Sequence, residues 1–256
     1  MKLHYKLTQH ADNKPVLLFL HGLLGSASNW HSIAQYYAKD YTILIPDLRN
    51  HGLSEHHAIH DYPEMGADLV ELLTQLNIQQ CIVIGHSMGG KVAMQLALQT
   101  PQIVTKLVIV DIAPVVYQHD FTEIYQAMLS LDLNLIKNRQ AADQGMAKII
   151  KNKAIRQFLL QNLVRQDQQW FWRVDIELLR RAMPNIGSFE DSNQYFNKKC
   201  LFIRGALSNH IKKEYYPTIK KYFPEARIET IEQAGHWVYY EQKTAFLTLL
   251  SDFLRD

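Results

Sequence analysis

The sequence is poor in cysteine, in net charge and in long apolar runs, and each shortage excludes a class of protein. Two of its 256 residues are cysteine, too few for the disulfide framework of a small secreted domain. Lys and Arg number 27 against 25 Asp and Glu, so a nucleic acid is not expected as a partner. The longest apolar stretch, VLLFLHGLLG, has about ten residues, whereas a membrane-spanning helix needs roughly twenty. We therefore expect no insertion into a membrane.

The two cysteines and the N-terminal stretch indicate the cellular compartment in which the protein is expected. Cys81 and Cys200 each begin an apolar run of strand type, which predicts buried thiols that stay reduced. Residues 1–14, MKLHYKLTQHADNK, lack the apolar core and the small-residue cleavage site of a secretory signal. We expect a cytoplasmic protein that folds without a disulfide or a metal. The sequence leaves the oligomeric state open.

Strand-like runs alternate with helical patterns along most of the chain. Apolar runs of strand type occur at 2–8, 16–21, 41–47, 81–85, 106–111, 200–205 and 227–232. Apolar residues recur at helical spacing at 64–76, 89–99, 210–222 and 241–254. This alternation is typical of an α/β fold, a mostly parallel sheet with helices on both faces. The first run alternates polar and apolar residues, so we expect it at an edge of the sheet.

The alternation is interrupted between 117 and 190. That segment contains the helical patterns FTEIYQAMLSL, AIRQFLLQNLV and DIELLRRAM and no convincing strand. We expect residues 1–116 and 191–256 to form one α/β core, and residues 117–190 to form a helical lid inserted into it.

A serine lies where a predicted strand meets a predicted helix, in CIVIGHSMGGKVAMQLAL at 81–98. Gly85 and Gly89 flank Ser87 in the pattern G-x-S-x-G, and they remove the Cβ atoms that would clash at a sharp turn. The start of a helix at this turn favours developing negative charge. A phosphate-binding turn is the alternative, but the Walker and dinucleotide spacings are absent. The pattern favours Ser87 as a nucleophile.

A serine hydroxyl needs a base, so one of the twelve histidines must lie on a loop at the same edge of the sheet. His236 lies between the last predicted strand and the C-terminal helix, at the carboxyl edge where ligands of open α/β sheets bind. His86 adjoins the serine, but we expect it to point away. A further group of histidines is expected to form a solvated loop rather than a metal site. Its members are His51, His56, His57 and His60. We predict His236 as the base.

Five segments, in this order, resemble the α/β-hydrolase fold superfamily and more narrowly the small bacterial YbfF-type esterases, whose lid is also helical. They are LHGLLGS, DLRNHGLS, GHSMGGK, DIAPV and AGHWVYYE. Most of the superfamily carries its acid in a G-x-x-D loop after the lid, and here LFIRGALSNHIKKE lacks that aspartate. Asp111, which closes the run KLVIVD, is our candidate acid, as in the YbfF-type esterases. Glu214 is the alternative, and Asp111 would then only cap nearby N–H groups.

The residues and the resemblance together imply a serine hydrolase without a cofactor or metal. Ser87 would attack the carbonyl of a small-molecule ester or thioester of small to medium acyl chain and form an acyl-enzyme. His236 would move the proton from Ser87 to the leaving group, and Asp111 would orient the imidazole of His236. Aromatic residues are expected to contact the substrate, namely Tyr117, Trp170, Trp172 and Trp237. Acyl transfer, carbon–carbon bond hydrolysis and ligand binding without turnover use the same residues and stay open.

The loop LHGLLGS is expected to carry an oxyanion hole. The resemblance implies that the backbone N–H groups of Leu23 and Met88 form it. We expect His21 to brace this loop, and the turn at 47–50 to be pinned by its own polar side chains.

Overall fold

The computed structural model describes residues 1–9, 14–118 and 120–256. Nine strands lie in this part of the chain: β1 Tyr5–Thr8, β2 Val16–Leu20, β3 Thr42–Pro46, β4 Cys81–His86, β5 Val104–Val110, β6 Leu163–Gln166, β7 Gln169–Trp172, β8 Cys200–Gly205 and β9 Ala226–Ile231. Its α-helices are α1 His31–Tyr37, α2 Tyr62–Gln75, α3 Met88–Gln99, α4 Thr122–Leu129, α5 Arg139–Met146, α6 Lys153–Leu159, α7 Ile176–Arg181, α8 Met183–Gly187, α9 Tyr216–Tyr222, α10 Val238–Glu241 and α11 Lys243–Arg255.

Seven of these strands form one sheet in the order β1-β3-β2-β4-β5-β8-β9. All neighbours are parallel except β1, which pairs antiparallel with β3 at one edge. The alternating first run is therefore an edge strand, as predicted. Every residue of β3 and β4 is buried, as expected for apolar strands covered on both faces.

Helices cover both faces of this sheet, which confirms the predicted α/β fold class. One apolar cluster contains Leu69 of α2 and Val92 of α3. The cluster on the opposite face contains Trp30 and Phe246 of α11. Parallel strands direct their carboxyl ends to one edge, so the loops after β2, β4, β5, β8 and β9 meet there.

Residues 117–190 are the lid segment, and its described part contains five α-helices, a 3-10 helix at Leu160–Asn162 and a two-stranded antiparallel hairpin of β6 and β7. The expectation of no strand in this segment was wrong. Asp167 and Gln168 form the turn with φ of 48° and 66°, values for which hairpins usually use glycine or asparagine. Without that signal the hairpin could not be recognised. The boundaries of the core and lid stay a prediction.

Two expectations from the composition concern the cysteines and the absence of a membrane-spanning helix. Cys81 and Cys200 begin β4 and β8 and are 2% and 1% exposed, with free thiols. Among the described helices, none is both long and apolar enough to cross a bilayer.

Candidate active site

Ser87 occupies a sharp turn between β4 and α3. Its backbone has φ 52° and ψ −119°, a region that residues with a side chain rarely adopt. A Cβ added at Gly85 would lie 2.3 Å from the carbonyl oxygen of Gly89. One added at Gly89 would lie 2.5 Å from the carbonyl oxygen of Leu20. The two glycines therefore permit the turn that holds the hydroxyl of Ser87 at the start of α3.

His236 and Asp111 form a hydrogen-bonded pair at the same edge of the sheet. The Nδ1 atom of His236 lies 2.7 Å from Oδ2 of Asp111. Asp111 follows β5, has φ 52° and is fully buried. Its other oxygen, Oδ1, accepts the N–H of Gly205 at 3.1 Å. This pairing fixes the His236 proton on Nδ1, which leaves Nε2 as the basic nitrogen.

Ser208, which the sequence reasoning missed, is the third donor to this carboxylate. Its hydroxyl donates to Oδ2 of Asp111. Aligning G-x-x-D on RGALS places Ser208 at the position of the absent aspartate, so this signal was present in the sequence. Burial raises the pKa of Asp111, while the hydrogen bond from Ser208 is the largest effect that lowers it. Ser208 therefore helps to keep Asp111 ionised beside His236.

His210, also missed, lies face to face with His236. The ring centroids are 3.9 Å apart at an interplanar angle of 22°, and Nδ1 of His210 lies 3.5 Å from Oδ2 of Asp111. Asp111, His210 and His236 form the one group of potential metal ligands in the described part of the chain. Nδ1 of His236 bonds Asp111, and Nδ1 of His210 lies 3.1 Å from the Ser208 hydroxyl, so these atoms belong to a hydrogen-bond network. The second histidine group, at 51–60, contains no such metal-binding set among the described residues.

His86 contacts His236 instead of pointing away, so that expectation was wrong. The rings are 4.6 Å apart, and the Nε2–H of His86 donates to the carbonyl oxygen of His236 at 2.9 Å. Burial lowers the pKa of His86 well below its usual value, so the ring is neutral. The reason is geometric: β4 ends at His86, and its last side chain lies beneath the loop that carries His236.

The loop after β2 runs beside the serine. A Cβ added at Gly22 would lie 3.3 Å from Cβ of Ser87, so the backbone can approach closely because residue 22 has no side chain. Leu23 and Met88 both line the cavity in front of Ser87. Met88 is the first residue of α3, and its N–H has no acceptor within the helix. His21 ties this loop to the next one, since its Nε2 accepts the N–H of Leu48 at 3.0 Å.

Two histidines of the 51–60 group are not solvated, contrary to expectation. His51 and His60 are 0% and 1% exposed, whereas His56 and His57 are exposed. Both buried rings hydrogen-bond through Nδ1, whereas Nε2 of His60 is buried with no partner among the described residues. Nδ1 of His51 donates to the carbonyl of Arg49 at 2.9 Å, and Nδ1 of His60 lies 3.1 Å from the Asn50 amide. Burial lowers the pKa of His60 to about 4.

The cavity that contains Ser87 and His236 has a volume of 390 Å³ and a mostly apolar lining. Trp237 lines it, and its ring lies 5.4 Å from that of Phe158 of α6. Further apolar residues of the lid segment share this lining: Phe121, Ile124, Ile155, Leu159 and Ile186. The sequence did not single out the aliphatic ones, because apolar helix residues are usually core.

Three of the expected substrate contacts lie elsewhere. Trp170 and Trp172 are in β7 and pack on the apolar cluster inside the lid segment. The Tyr117 hydroxyl accepts the N–H of Ala113 and donates to the carbonyl of His210, so this ring holds the start of the lid segment. None of the three lines the cavity. Glu214, the alternative acid, is 65% exposed and faces Lys212 at 3.7 Å.

Lys91 joins α3 to the end of the lid segment. Its Nζ donates to the carbonyls of Gly187 and Ser188 at 3.0 Å and 2.6 Å. The side chain is 1% exposed, and burial lowers its pKa to about 7. Because α3 also carries Ser87 at its start, the lid segment and the serine are tied to one helix.

A serine at a strained turn, a histidine paired with a buried carboxylate and a glycine-bearing loop beside them define the α/β-hydrolase class, and the chain belongs to the α/β-hydrolase fold family. The model of that family matches residues 15–134. The chain is 34% identical to the esterase YbfF of Escherichia coli over 100% of both chains. It is 40% identical to the sn-1-specific diacylglycerol lipase ABHD11 of Xenopus laevis, over 98% of this chain and 83% of that protein. The solved structure of a marine microorganism esterase superposes with a TM-score of 0.95, at 33% identity over 98% of this chain and 99% of that one. These matches confirm the resemblance drawn from the five motifs.

Proposed function

We propose that the protein is a serine hydrolase that cleaves carboxylic esters or thioesters of small to medium acyl chain through an acyl-enzyme. The observation that carries the proposal is the 2.7 Å hydrogen bond between His236 and the buried Asp111. His236 lines the same cavity as Ser87. The esterase and lipase names of its relatives support ester hydrolysis.

Each residue of the pair has a defined task in this proposal. Nε2 of His236 takes the proton of Ser87 as Oγ attacks the carbonyl, and returns it to the leaving alcohol or thiol. The charge of Asp111 stabilises the imidazolium and holds Nδ1–H toward itself. A water molecule, activated by the same nitrogen, then releases the acid from the acyl-enzyme. No step calls for a metal or a cofactor.

The backbone stabilises the negative oxygen that forms in each half-reaction. In the proposal, the N–H groups of Leu23 and Met88 donate to it, next to the positive end of α3. Each such donor is worth about a hundredfold to a thousandfold in kcat. Since ester and thioester cleavage both place a negative oxygen on a tetrahedral carbon, the proposed hole suits either substrate.

The cavity supports an apolar acyl group as the part of the substrate that is recognised. Its 390 Å³ falls in the range of roughly 300–1,000 Å³ that small-molecule sites occupy. Its walls, including Trp237 and Phe158, offer mainly apolar contact, although Lys91, Asp120 and Glu241 also line the cavity. The cytoplasmic location expected from the sequence stays a prediction.

Labelling and turnover together test the proposal. The folded protein is treated with a fluorophosphonate probe, and hydrolysis of p-nitrophenyl butyrate is measured for wild type and Ser87→Ala. We expect labelling at Ser87 and turnover that Ser87→Ala abolishes. A folded wild type that neither labels nor turns over would make the chain a ligand-binding member of the family. Transfer of butyrate to an added alcohol in preference to water would instead identify an acyltransferase.

A further inference from the structure

Leu24 follows the proposed oxyanion donor Leu23 in the chain. Both its backbone N–H and its carbonyl form hydrogen bonds to side chains. Its N–H donates to Nε2 of His51 at 3.0 Å. Its carbonyl accepts Nδ2–H of Asn162 at 2.7 Å. His51 comes from the loop after β3, and Asn162 comes from the lid segment. The loop after β3 and the lid segment therefore both bond the backbone of the same residue, Leu24.

Nε2 of His51 acts as the acceptor for the N–H of Leu24. Because Nε2 accepts the N–H of Leu24, the ring proton lies on Nδ1, which donates to the carbonyl of Arg49 at 2.9 Å. The ring is fully buried, and burial lowers its pKa well below the usual value. The imidazole is therefore a neutral bridge between the loop after β3 and the loop after β2.

Asn162 is anchored in the lid segment in the same way. It is 3% exposed, and its carbonyl accepts the N–H of Arg173 at 2.8 Å. Its side chain reaches out of the lid segment to Leu24. The hydrogen bond therefore depends on the lid segment lying in the position seen in the structure.

Leu24 is held in a conformation that it would not adopt unaided. Its φ of 60° lies in the left-handed region, which is unfavourable for a residue with a branched side chain. Such strain persists only where surrounding contacts enforce it. One peptide earlier, the carbonyl of Gly22 accepts Nδ1–H of His21 at 2.8 Å. Since a trans peptide points its N–H opposite to its carbonyl, that bond directs the N–H of Leu23 away from His21.

We propose that His51 and Asn162 are positioning residues for the oxyanion hole, an inference that rests on the proposed hydrolase function. By fixing the peptides on either side of Leu24, they keep the Leu23 N–H aimed at the reacting carbonyl. The hole is then complete only while the lid segment lies in place, which couples lid position to transition-state stabilisation. Neither residue touches the reacting atoms.

The test uses variants that remove one bond at a time. His51→Asn removes the acceptor at the Nε2 position, whereas His51→Gln keeps an amide oxygen close to it. Asn162→Ala removes the donor to Leu24 from the other side. The matched control is His56→Asn, because His56 also belongs to the loop after β3 and also bonds the lid segment, at 3.0 Å from the carbonyl of Arg173.

Three readouts separate positioning from folding. They are kcat and KM for p-nitrophenyl butyrate, the inhibition constant of an alkyl boronic acid, whose adduct places an oxygen in the hole, and near-UV circular dichroism. We expect His51→Asn and Asn162→Ala to lower kcat by about tenfold to a hundredfold, with KM within about threefold and boronic acid affinity falling by the same factor as kcat. His51→Gln should recover most of the loss, and His56→Asn should match wild type.

The outcomes distinguish this inference from the proposed function. Natively folded His51→Asn and Asn162→Ala with wild-type kcat and boronic acid affinity would overturn the inference alone. A rise in KM at constant kcat would do so too, because it marks lost ground-state binding. If His51→Asn does not fold, His51→Gln and Asn162→Ala decide. If Ser87→Ala hydrolyses the substrate as fast as wild type does, both the proposed function and this inference are overturned.

Discussion

The hydroxyl of Ser208 donates a hydrogen bond to Oδ2 of Asp111. The same oxygen accepts Nδ1–H of His236 at 2.7 Å, so two donors converge on one buried carboxylate atom. The serine takes the position at which the superfamily's G-x-x-D loop carries its aspartate. In this chain the carboxylate therefore comes from the end of β5 and the hydroxyl from the loop after β8, with the carboxylate beside the histidine.

Replacing Ser208 tests the contribution of this hydroxyl. Ser208→Ala should lower kcat about tenfold, because loss of a hydrogen bond to a charged group costs about 1.5–3 kcal/mol, part of which is felt in the transition state. Loss of the donor also raises the pKa of Asp111, so the acid limb of the kcat/KM profile should move to higher pH. Stopped-flow or steady-state rates from pH 5 to 9 measure both effects. An unchanged profile would reduce Ser208 to a loop-stabilising residue.

Trp237 and Trp170 form a matched pair for the acyl pocket, since the first lines the cavity and the second lies in β7 away from it. Trp237→Ala should reduce the kcat/KM preference for p-nitrophenyl octanoate over acetate by about fivefold to thirtyfold, as expected for about 1–2 kcal/mol of lost apolar contact. Trp170→Ala should leave this ratio unchanged. The opposite ranking of the two variants would place the acyl chain against the hairpin instead of the cavity.

Buried neutral histidines predict an acid-sensitive fold. Burial lowers the pKa of His51 and His86 well below 6.5 and that of His60 to about 4. Between pH 6.5 and 4 the unfolded chain binds more protons than the folded one, so the free energy of unfolding falls as the pH falls. Urea unfolding at pH 5 and 6 measures this slope. His60→Gln should make it shallower by up to about 1.4 kcal/mol per pH unit, and the exposed His57→Gln should not. Equal slopes in the three proteins would contradict the burial argument.

The two thiols should be inert in the folded state. Burial raises the pKa of Cys81 to about 12 and that of Cys200 well above its usual value, and the thiolate is the reactive form. Ellman's reagent should therefore label the native protein at less than ~1% of its rate in urea. Stoichiometric labelling under conditions that preserve the near-UV spectrum would show that β4 or β8 opens locally.

The sequence predicted the features that local rules control. Apolar runs located the strands of the sheet, and G-x-S-x-G located Ser87 because that turn sterically requires glycine. The pairing of Asp111 with His236 rested on resemblance, since it joins atoms 125 residues apart in the chain. Local patterns carry no signal at that separation.

The wrong expectations have three different physical causes. His51 and His60 were expected in solvent because a histidine-rich stretch is polar, yet inside the fold His51 bonds the backbone of Leu24 and His60 bonds the side-chain amide of Asn50. The β6–β7 hairpin was hidden because its turn uses Asp167 and Gln168 in left-handed conformations. Trp170 looked like a pocket residue because aromatic side chains serve cores and pockets equally well.

The most direct test of the account is kcat/KM for p-nitrophenyl butyrate in Asp111→Asn, with Glu214→Gln as the matched control. The first substitution keeps the shape of the side chain that bonds His236 and removes its charge. It should cost about 10³ to 10⁴ in rate, or about 4 to 5.5 kcal/mol of transition-state stabilisation, while Glu214→Gln stays within about twofold of wild type. A folded Asp111→Asn that loses less than about tenfold, or a large loss in Glu214→Gln, would contradict the assignment of Asp111 as the acid.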